Sequence, residues 1–299
     1  MSQYQPFFSI IVPSFNRPER LTKCLRALSR VDYPGDRLEV IVVDDGGEKS
    51  PESVVASFEG RLELTLISQP NSGPAAARTR GAAHARGEFL AFTDDDCEPA
   101  DNWLQTLAVR FEKDPTCAIG GRTVNGLPKN LYSSASQLLI DYLYAYHNDN
   151  PNRARFLASN NLALPADRFH DVGGFDASFY RAAGEDREFC DRWIHRGYRM
   201  IYAPEVLVFH AHSLTLRTFL RQQFNYGMGA FLFHRKSSCR PHGYAYFQEP
   251  PSFYANLLRY PFSTAQAQKR LILAMLFLLS QLGIAAGYFR GRLEWNETA

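Results

Sequence analysis

Residues Gly87 to Pro99 read GEFLAFTDDDCEP, a short apolar run, Glu88 to Phe92, that opens onto three consecutive aspartates, Asp94, Asp95 and Asp96. Three adjacent carboxylates repel one another and resist burial while unpaired. A divalent cation removes that conflict. Hard cations such as Mg²⁺ and Mn²⁺ take oxygen ligands, and Mg²⁺ shares its shell between one or two carboxylates and substrate phosphates. The stretch therefore points to a metal held at the carboxyl end of a strand, facing a diphosphate. The competing reading is a solvated acidic turn capping a helix that starts near Asn102. An isolated triplet would favour the turn; the surrounding chain reverses that judgement.

Upstream, Phe7 to Val12 has the pattern of a buried strand, which Pro13 is expected to stop. Leu21, Cys24, Leu25 and Leu28 recur at helical spacing over Arg20 to Leu28. Glu39 to Val43 is a second buried strand and ends in Asp44 and Asp45. Pro51 to Phe58 reads as a helix, Leu62 to Ile67 as a third strand, and alanine-rich Pro74 to Arg86 as a helix with proline at its start. This alternation predicts an α/β fold: an open, mostly parallel sheet flanked by helices. Such sheets bind ligands at the carboxyl ends of their strands. Three strand ends here carry polar residues: Pro13 to Asn16, Asp44–Asp45 and Asp94 to Asp96. No GxGxxG follows the first strand and no GxxxxGK[ST] occurs, which disfavours dinucleotide and P-loop chemistry.

The stretches SIIVPSFNRPERLTKCLRAL (9–28), EVIVVDDGG (39–47) and NSGPAAARTRGAAHARGEFLAFTDDDCEP (71–99) resemble the nucleotide-sugar half of the family-2 glycosyltransferases, which have the GT-A fold. The resemblance implies that Pro13 and Phe15 surround the base of a nucleoside-diphosphate sugar. It places Asp45 on the base edge and Arg78 near the base and the aspartates. Asp94 and Asp96 form the family's DxD motif, with Asp94 or Asp95 near the ribose and Asp96 the firmer ligand for Mn²⁺ or Mg²⁺. The residue chemistry agrees. Ionised Asp45 only accepts hydrogen bonds, so it can read a base N–H, and permanently charged Arg78 can orient a carboxylate or phosphate oxygen.

Farther on, Asp101 to Lys113 reads as a helix, Ala118 to Val124 as a strand, and Leu131 to His147 as an aromatic helix, mainly core and a wall for an acceptor. FLASNNLALPADRF (156–169) again resembles the family, implying that Asn160 and Asn161 sit beside the donor; a polar turn before a helix is the alternative. In GGFDASFYRAAGEDREFCDRWIHRGYR (173–199), Gly184 precedes a helix with Phe189, Cys190, Trp193 and Ile194 on its apolar face. Glu188 and Arg192 are spaced to pair at i, i+4. Glu185 and Asp186 fall in the first turn, where the helix dipole favours ionised carboxylates. The bland reading is two capping acids. The resemblance implies instead that Asp186 is the catalytic base, with Glu185 positioning that base or the acceptor and Arg187 contacting acceptor or phosphate. Met200 to Phe209 is a strand interrupted by Pro204, leading into His210 and His212. Alternate residues of an extended segment share a side, and imidazole suits Mn²⁺-type ions. The resemblance favours His210 as a further metal ligand over His212.

The chain has 299 residues, 45% of them apolar, and a net charge of only +2, so nothing overall suggests nucleic acid. From Ser213 onward there are ten Lys/Arg against three acids, which makes the back of the chain basic. Five scattered cysteines without CxxC spacing fit a reducing compartment, and MSQYQPFFSIIVPS lacks the basic start and long apolar run of a signal peptide, so a cytosolic catalytic part is expected. Leu214 to His234 has a helical apolar face. Its RQQFNYG stands where processive relatives carry QxxRW, which favours single-sugar transfer; Arg221 within it is read as solvated. His242 to Tyr260, rich in aromatics and proline, is expected to be irregular or to form short helices. Leu271 to Phe289 holds no charge in 19 residues, between Lys269–Arg270 and Arg290–Arg292. At about 1.5 Å per residue it would cover about 28 Å, barely a bilayer core. Ser280, Gln281, Gly283 and Gly287 weaken a spanning reading; an interfacial helix and a dimer helix are the others. The positive flanks favour membrane contact.

The expected organisation is a GT-A catalytic domain over residues 1–212, with a nucleotide-sugar half (1–100) and an acceptor half (101–212), then a basic helical region (213–299). The expected activity is metal-dependent, inverting transfer of a sugar from a nucleoside-diphosphate sugar to a saccharide or lipid-linked acceptor at or near the cytoplasmic membrane face. The rivals are a non-catalytic nucleotide-sugar-binding module and a sugar nucleotidyltransferase. The latter would need a glycine-rich basic loop, and SFNRPER (14–20) has no glycine.

Overall fold

The computed structural model describes residues 4–181, 183–240 and 249–298. Eight strands, β1 (Phe8–Ser14), β2 (Leu38–Asp44), β3 (Leu64–Ser68), β4 (Phe89–Thr93), β5 (Cys97–Pro99), β6 (Ala118–Asn125), β7 (Asn161–Pro165) and β8 (Met200–His210), form one sheet in the order β3-β2-β1-β4-β7-β6-β8-β5. The half from β3 to β4 is parallel throughout. Its strands are buried on both faces, which is why they read as continuous apolar runs. Ile10, Val12, Val40 and Val42 pack with Leu21, Cys24, Leu25 and Leu28 of helix α1 (Pro18–Leu28). Ile11, Ile41 and Val43 face the other way, onto Ala75, Ala77 and Ala82 of helix α3 (Pro74–Ala83). Helix α2 (Glu52–Ala56) lies between β2 and β3 in the chain.

Beyond β4 the sheet is mixed rather than mostly parallel. β7 runs antiparallel to both β4 and β6, β6 is parallel to β8, and β5 is antiparallel to β8. One expected boundary moves. β1 does not stop at Pro13 but continues to Ser14, whose carbonyl accepts from the Asp45 N–H at 2.9 Å. Residues of a parallel strand bond alternately to its two neighbours. Pro13 therefore turns its missing N–H toward β4, where pairing has already ended at Ile11–Phe92.

The remaining helices are α4 (Trp103–Lys113), α5 (Leu131–His147), α6 (Ala166–Val172), α7 (Glu185–His195), α8 (Leu216–Ser238), α9 (Pro251–Thr264) and α10 (Arg270–Thr298). The stretch expected to be irregular or to form short helices holds α9, a 14-residue helix with Pro251 at its first position and Pro261 inside it; residues 241–248 lie outside the described residues. α5, α8, α9 and α10 share a core of their own that includes Leu139, Tyr142, Phe219, Phe253, Leu257 and Phe277. Helices α8 and α10 approach backbone to backbone. A Cβ on Gly287 would stand 1.9 Å from the Phe224 carbonyl oxygen, and one on Gly227 would stand 2.0 Å from that of Ile284. Gly287, which in sequence weakens a spanning helix, is thus a helix–helix contact. The opposite side of α10 leaves Leu271, Met275, Leu278, Leu282 and Phe289 exposed, from 52% to 73%.

Candidate active site

The carboxyl ends of β1, β2 and β4 converge on a cavity of about 1410 Å³, lined among others by Pro13, Phe15, Asp45, Arg78, Asp94, Asp95, Asp96, Glu185, Asp186 and His210. Of the residues singled out in the sequence, only Asn161 among the expected site set does not line it.

Asp95 and Asp96 are buried. Asp95 accepts from the Ser14 hydroxyl (3.0 Å) and from Arg17 (3.2 Å); Asp96 accepts from Arg20 (2.8 Å) and lies 3.1 Å from His210 Nε2. Burial raises Asp95 to about 7 against the pull of Arg17. Asp96 also loses solvation, but the His210 hydrogen bond and nearby positive charge hold it well below the usual carboxylate range. Arg17 and Arg20 were not visible as site residues in the sequence. They sit at the start of α1, and only the fold carries that turn under the aspartates.

Asp96 Oδ1 and His210 Nε2, with Cys97, offer atoms within 4.8 Å of one another. A carboxylate and an imidazole fit a Mn²⁺-type ion. The Cys97 thiol is a soft ligand that suits Mn²⁺ or Mg²⁺ poorly, and burial pushes its pKa well above the ordinary value. Asp94 is turned elsewhere: its Oδ1 takes the Arg78 Nη2 at 2.7 Å. The two expected carboxylate ligands are thus divided, Asp96 beside His210 and Asp94 on the arginine. His212 lines the same cavity, and burial beside His210 depresses it to about 4.

Asp45 keeps its place in the cavity, but it also organises the following loop. Its Oδ1 accepts from Gln69 Nε2 (2.7 Å) and the Ser72 N–H (2.9 Å), and its Oδ2 from the Gly73 N–H (2.9 Å). A carboxylate oxygen has two lone pairs, so Oδ2 retains room for one more donor. Gly73 has φ +86°, and a Cβ there would come 2.2 Å from the Tyr180 carbonyl oxygen, so this turn requires glycine.

Asn161, expected beside the donor, does not line the cavity. It is the first residue of β7, its Oδ1 accepts from Trp103 Nε1 (2.9 Å), and its Nδ2 donates to the Val206 and Arg122 carbonyls (2.9 and 3.1 Å). The turn at Ser159–Asn160, closed by the Asn161 N–H on the Ala158 carbonyl (3.3 Å), leaves Ser159 and Asn160 in the cavity lining while Asn161 enters the sheet.

At the start of α7, Gly184 adopts φ +89° and lies against the Gly229 backbone of α8. This tight approach brings Glu185 and Asp186 into the cavity wall. Arg78 donates Nη1 to Glu185 Oε1 at 3.1 Å, so one guanidinium spans Asp94 and Glu185. The helix dipole was expected to keep both acids ionised, but burial prevails. Glu185 is raised to about 8 by burial and by the charge of Asp186, against Arg78. Asp186 is raised by burial, against Arg78 and hydrogen bonds from the hydroxyl and N–H of Ser159. Asp186 Oδ1 and Arg78 Nε are buried side-chain atoms with no hydrogen-bond partner among the described residues.

Arg187 lines the cavity but pairs with Glu249 (3.0 Å) and lies over the Phe233 ring. Arg221 is exposed and outside it, and Glu188 pairs with Arg192 at 2.7 Å as the spacing required.

The glycosyl transferase family 2 model matches residues 9–173, more than half of the chain, and a glycosyl transferase family group 2 model matches residues 104–289. The chain belongs to glycosyltransferase family 2. As a glycosyltransferase, it is 28% identical over 232 residues to glycosyltransferase AglE of Haloferax volcanii, a match covering 77% of this chain and 74% of that protein. It is 31% identical over 229 residues to the pre-mycofactocin glycosyltransferase of Mycobacterium tuberculosis, covering 74% of this chain but 46% of that protein. The chain thus spans about half the length of several curated relatives it matches. In structure, this transferase resembles the mannosyltransferase PcManGT from Pyrobaculum calidifontis in complex with GDP-Man and Mn²⁺ (TM-score 0.68, 20% identity, 98% of this chain and 88% of that one). It also resembles S. aureus TarS 1-349 in complex with UDP-GlcNAc (TM-score 0.54, 16% identity, 98% and 92%). These likenesses establish the GT-A fold.

Proposed function

We propose that this enzyme is a metal-dependent, inverting glycosyltransferase that moves one sugar from a nucleoside-diphosphate sugar to an acceptor hydroxyl, in the synthesis of a glycan, polysaccharide or glycolipid. The observation that carries this reading is Asp186 Oδ1, a buried carboxylate oxygen without a partner among the described residues, in the same cavity wall as the Asp94–Asp96 cluster.

Pro13 and Phe15 flank the base, Asp45 Oδ2 accepts from its edge, and Asp94 or Asp95 lies at the ribose. Arg78, fixed by Asp94 and Glu185, turns its unpartnered Nε to a diphosphate oxygen. Asp96 and His210 would hold Mn²⁺ or Mg²⁺, which supplies charge neutralisation on the leaving diphosphate. Asp186 accepts the proton of the acceptor hydroxyl while that oxygen bonds to the anomeric carbon. The bond from the anomeric carbon to the diphosphate oxygen breaks on the opposite face, and the nucleoside diphosphate leaves. An α-linked donor then yields a β-linked product. Burial, by raising Asp186, makes it a stronger base once ionised. Support from relatives is of the same kind: the PcManGT structure holds GDP-Man and Mn²⁺ and the TarS structure UDP-GlcNAc.

We place the enzyme on the cytoplasmic face of a membrane. The exposed apolar side of α10, flanked by Lys269, Arg270, Arg290 and Arg292, supports contact with anionic lipid. NMR of the product's anomeric proton tests the stereochemistry: a β linkage from an α donor is expected, and an α linkage would remove the base role of Asp186.

A further inference from the structure

The cavity that holds the aspartates does not end at Asp186. It continues between α5, α8, α9 and α10, and its chemistry changes along the way. Next to the acids come Gln222 and Tyr226. Ser136 donates to Gln222 at 3.1 Å, Gln222 also bonds the Tyr226 phenol, and that phenol feels the charges of Glu185 and Asp186. The lining also takes apolar side chains from four helices, Leu143 of α5, Phe231 of α8, Phe253 and Leu257 of α9, and Ile284 and Ala285 of α10, together with polar His234, Glu249 and Gln281. Phe289 belongs both to this lining and to the exposed apolar side of α10.

Sites for one small molecule run to about 300–1,000 Å³. The cavity of about 1410 Å³ exceeds what a sugar nucleotide at the inner end requires. Leu143, Leu257, Ile284 and Ala285 offer no hydrogen bonds, so a bare saccharide there would lose water without replacing it.

We infer that the acceptor is amphipathic: its hydroxyl-bearing head rests at Gln222, Tyr226 and Asp186, and a hydrocarbon tail lies in the apolar chamber between α5, α8, α9 and α10, leaving past Phe289. The head position rests on the transferase reading of Asp186; the tail chamber stands on its own lining.

The test uses the full chain and three probes below micellar concentration: methyl, butyl and octyl β-glucoside, with binding measured by calorimetry. A buried methylene tightens binding about fourfold. With about three to four of the seven extra methylenes fully buried, octyl glucoside is expected to bind at least roughly a hundredfold tighter than methyl glucoside, with butyl between. Ile284→Trp, which narrows the chamber, should weaken octyl binding about tenfold or more. Leu143→Asn, a second variant on a different helix, should act in the same direction. Met275→Gln, on the exposed side of α10, should leave octyl binding as it is. Equal affinity for methyl and octyl glucoside overturns the inference. So does octyl binding that is lost in Met275→Gln but kept in Ile284→Trp, which would assign it to the helix exterior. Donor turnover is followed separately. Octyl binding in the chamber with no turnover of any sugar nucleotide would sink the transferase reading and leave the tail site standing. Turnover with equal use of methyl and octyl glucoside would do the reverse.

Discussion

Arg78 and Glu185 lie 107 residues apart in sequence and are joined by a 3.1 Å hydrogen bond that is almost wholly buried. The same guanidinium holds Asp94 at 2.7 Å. The strand-end aspartates and the start of α7 are therefore locked together by one rigid fork. Removing the guanidinium orphans the buried Glu185 carboxyl and leaves Asp94 without its cation, at a cost of about 1–3 kcal/mol for each group. Arg78→Met is expected to destabilise by that order, measured by urea unfolding at neutral pH. Arg78→Met with Glu185→Gln should recover most of the loss. Equal destabilisation in the single and double variants would show that the fork is not the cause.

Glu185 also sets a pH dependence. Its pKa in the fold, about 8, lies above that of an exposed glutamate, so the folded state holds its proton more tightly than the unfolded state. The stabilisation from that difference is present in full below the unfolded value and is lost as pH rises through about 8. Wild-type stability should therefore fall between mildly acidic and mildly alkaline pH, and Glu185→Gln should flatten that part of the profile. A Glu185→Gln profile parallel to wild type would contradict the account.

Asn161 gives the clearest divergence between sequence and fold. SNN before an apolar run looked like a donor contact or a turn, yet Asn161 bridges Trp103 to the β6 and β8 carbonyls. Asn161→Ala should cost about 1–3 kcal/mol of stability by orphaning those groups. That corresponds to a Tm decrease of several degrees, with donor KM little changed. Asn160→Ala, in the cavity lining, should do the opposite. A raised donor KM in Asn161→Ala at unchanged Tm would restore the donor role.

The parts that sequence made legible share a physical cause. β1, β2 and β4 are buried on both faces, so they show as unbroken apolar runs ending in polar residues at the site. β7 has five residues and opens with Asn161, and β5 has three, too little for a period. Arg17 and Arg20 read as ordinary helix-start cations, because nothing local says that the first turn of α1 faces Asp95 and Asp96. The apolar chamber was hidden for the same reason: its wall comes from four helices, and no single one carries the pattern.

Metal binding has its own readout. Asp96→Ala and His210→Ala should each weaken Mn²⁺ binding at least tenfold, followed by electron paramagnetic resonance of free Mn²⁺ in the presence of the nucleoside diphosphate. Asp94→Asn should weaken it less, since Arg78 holds that carboxylate. Unchanged Mn²⁺ binding in His210→Ala would remove that ligand.

The exposed apolar side of α10 predicts flotation of the full chain with vesicles containing anionic lipid, reduced by salt. Replacing Leu278 and Leu282 by serine should lessen flotation without changing the melting temperature, as both side chains are more than half exposed. No flotation of the wild type at low salt would exclude membrane contact through this face.

The central claim is that Asp186 is the base. Sugar transfer or donor hydrolysis is measured with UDP-, GDP- and dTDP-sugars in the presence of Mn²⁺, for wild type beside Asp186→Asn, with donor binding followed in parallel. The account predicts turnover of one donor by the wild type, and a fall of about 10²–10⁴ in kcat in the variant with donor Kd retained. Turnover that persists in Asp186→Asn while the same donor binds equally well would contradict it.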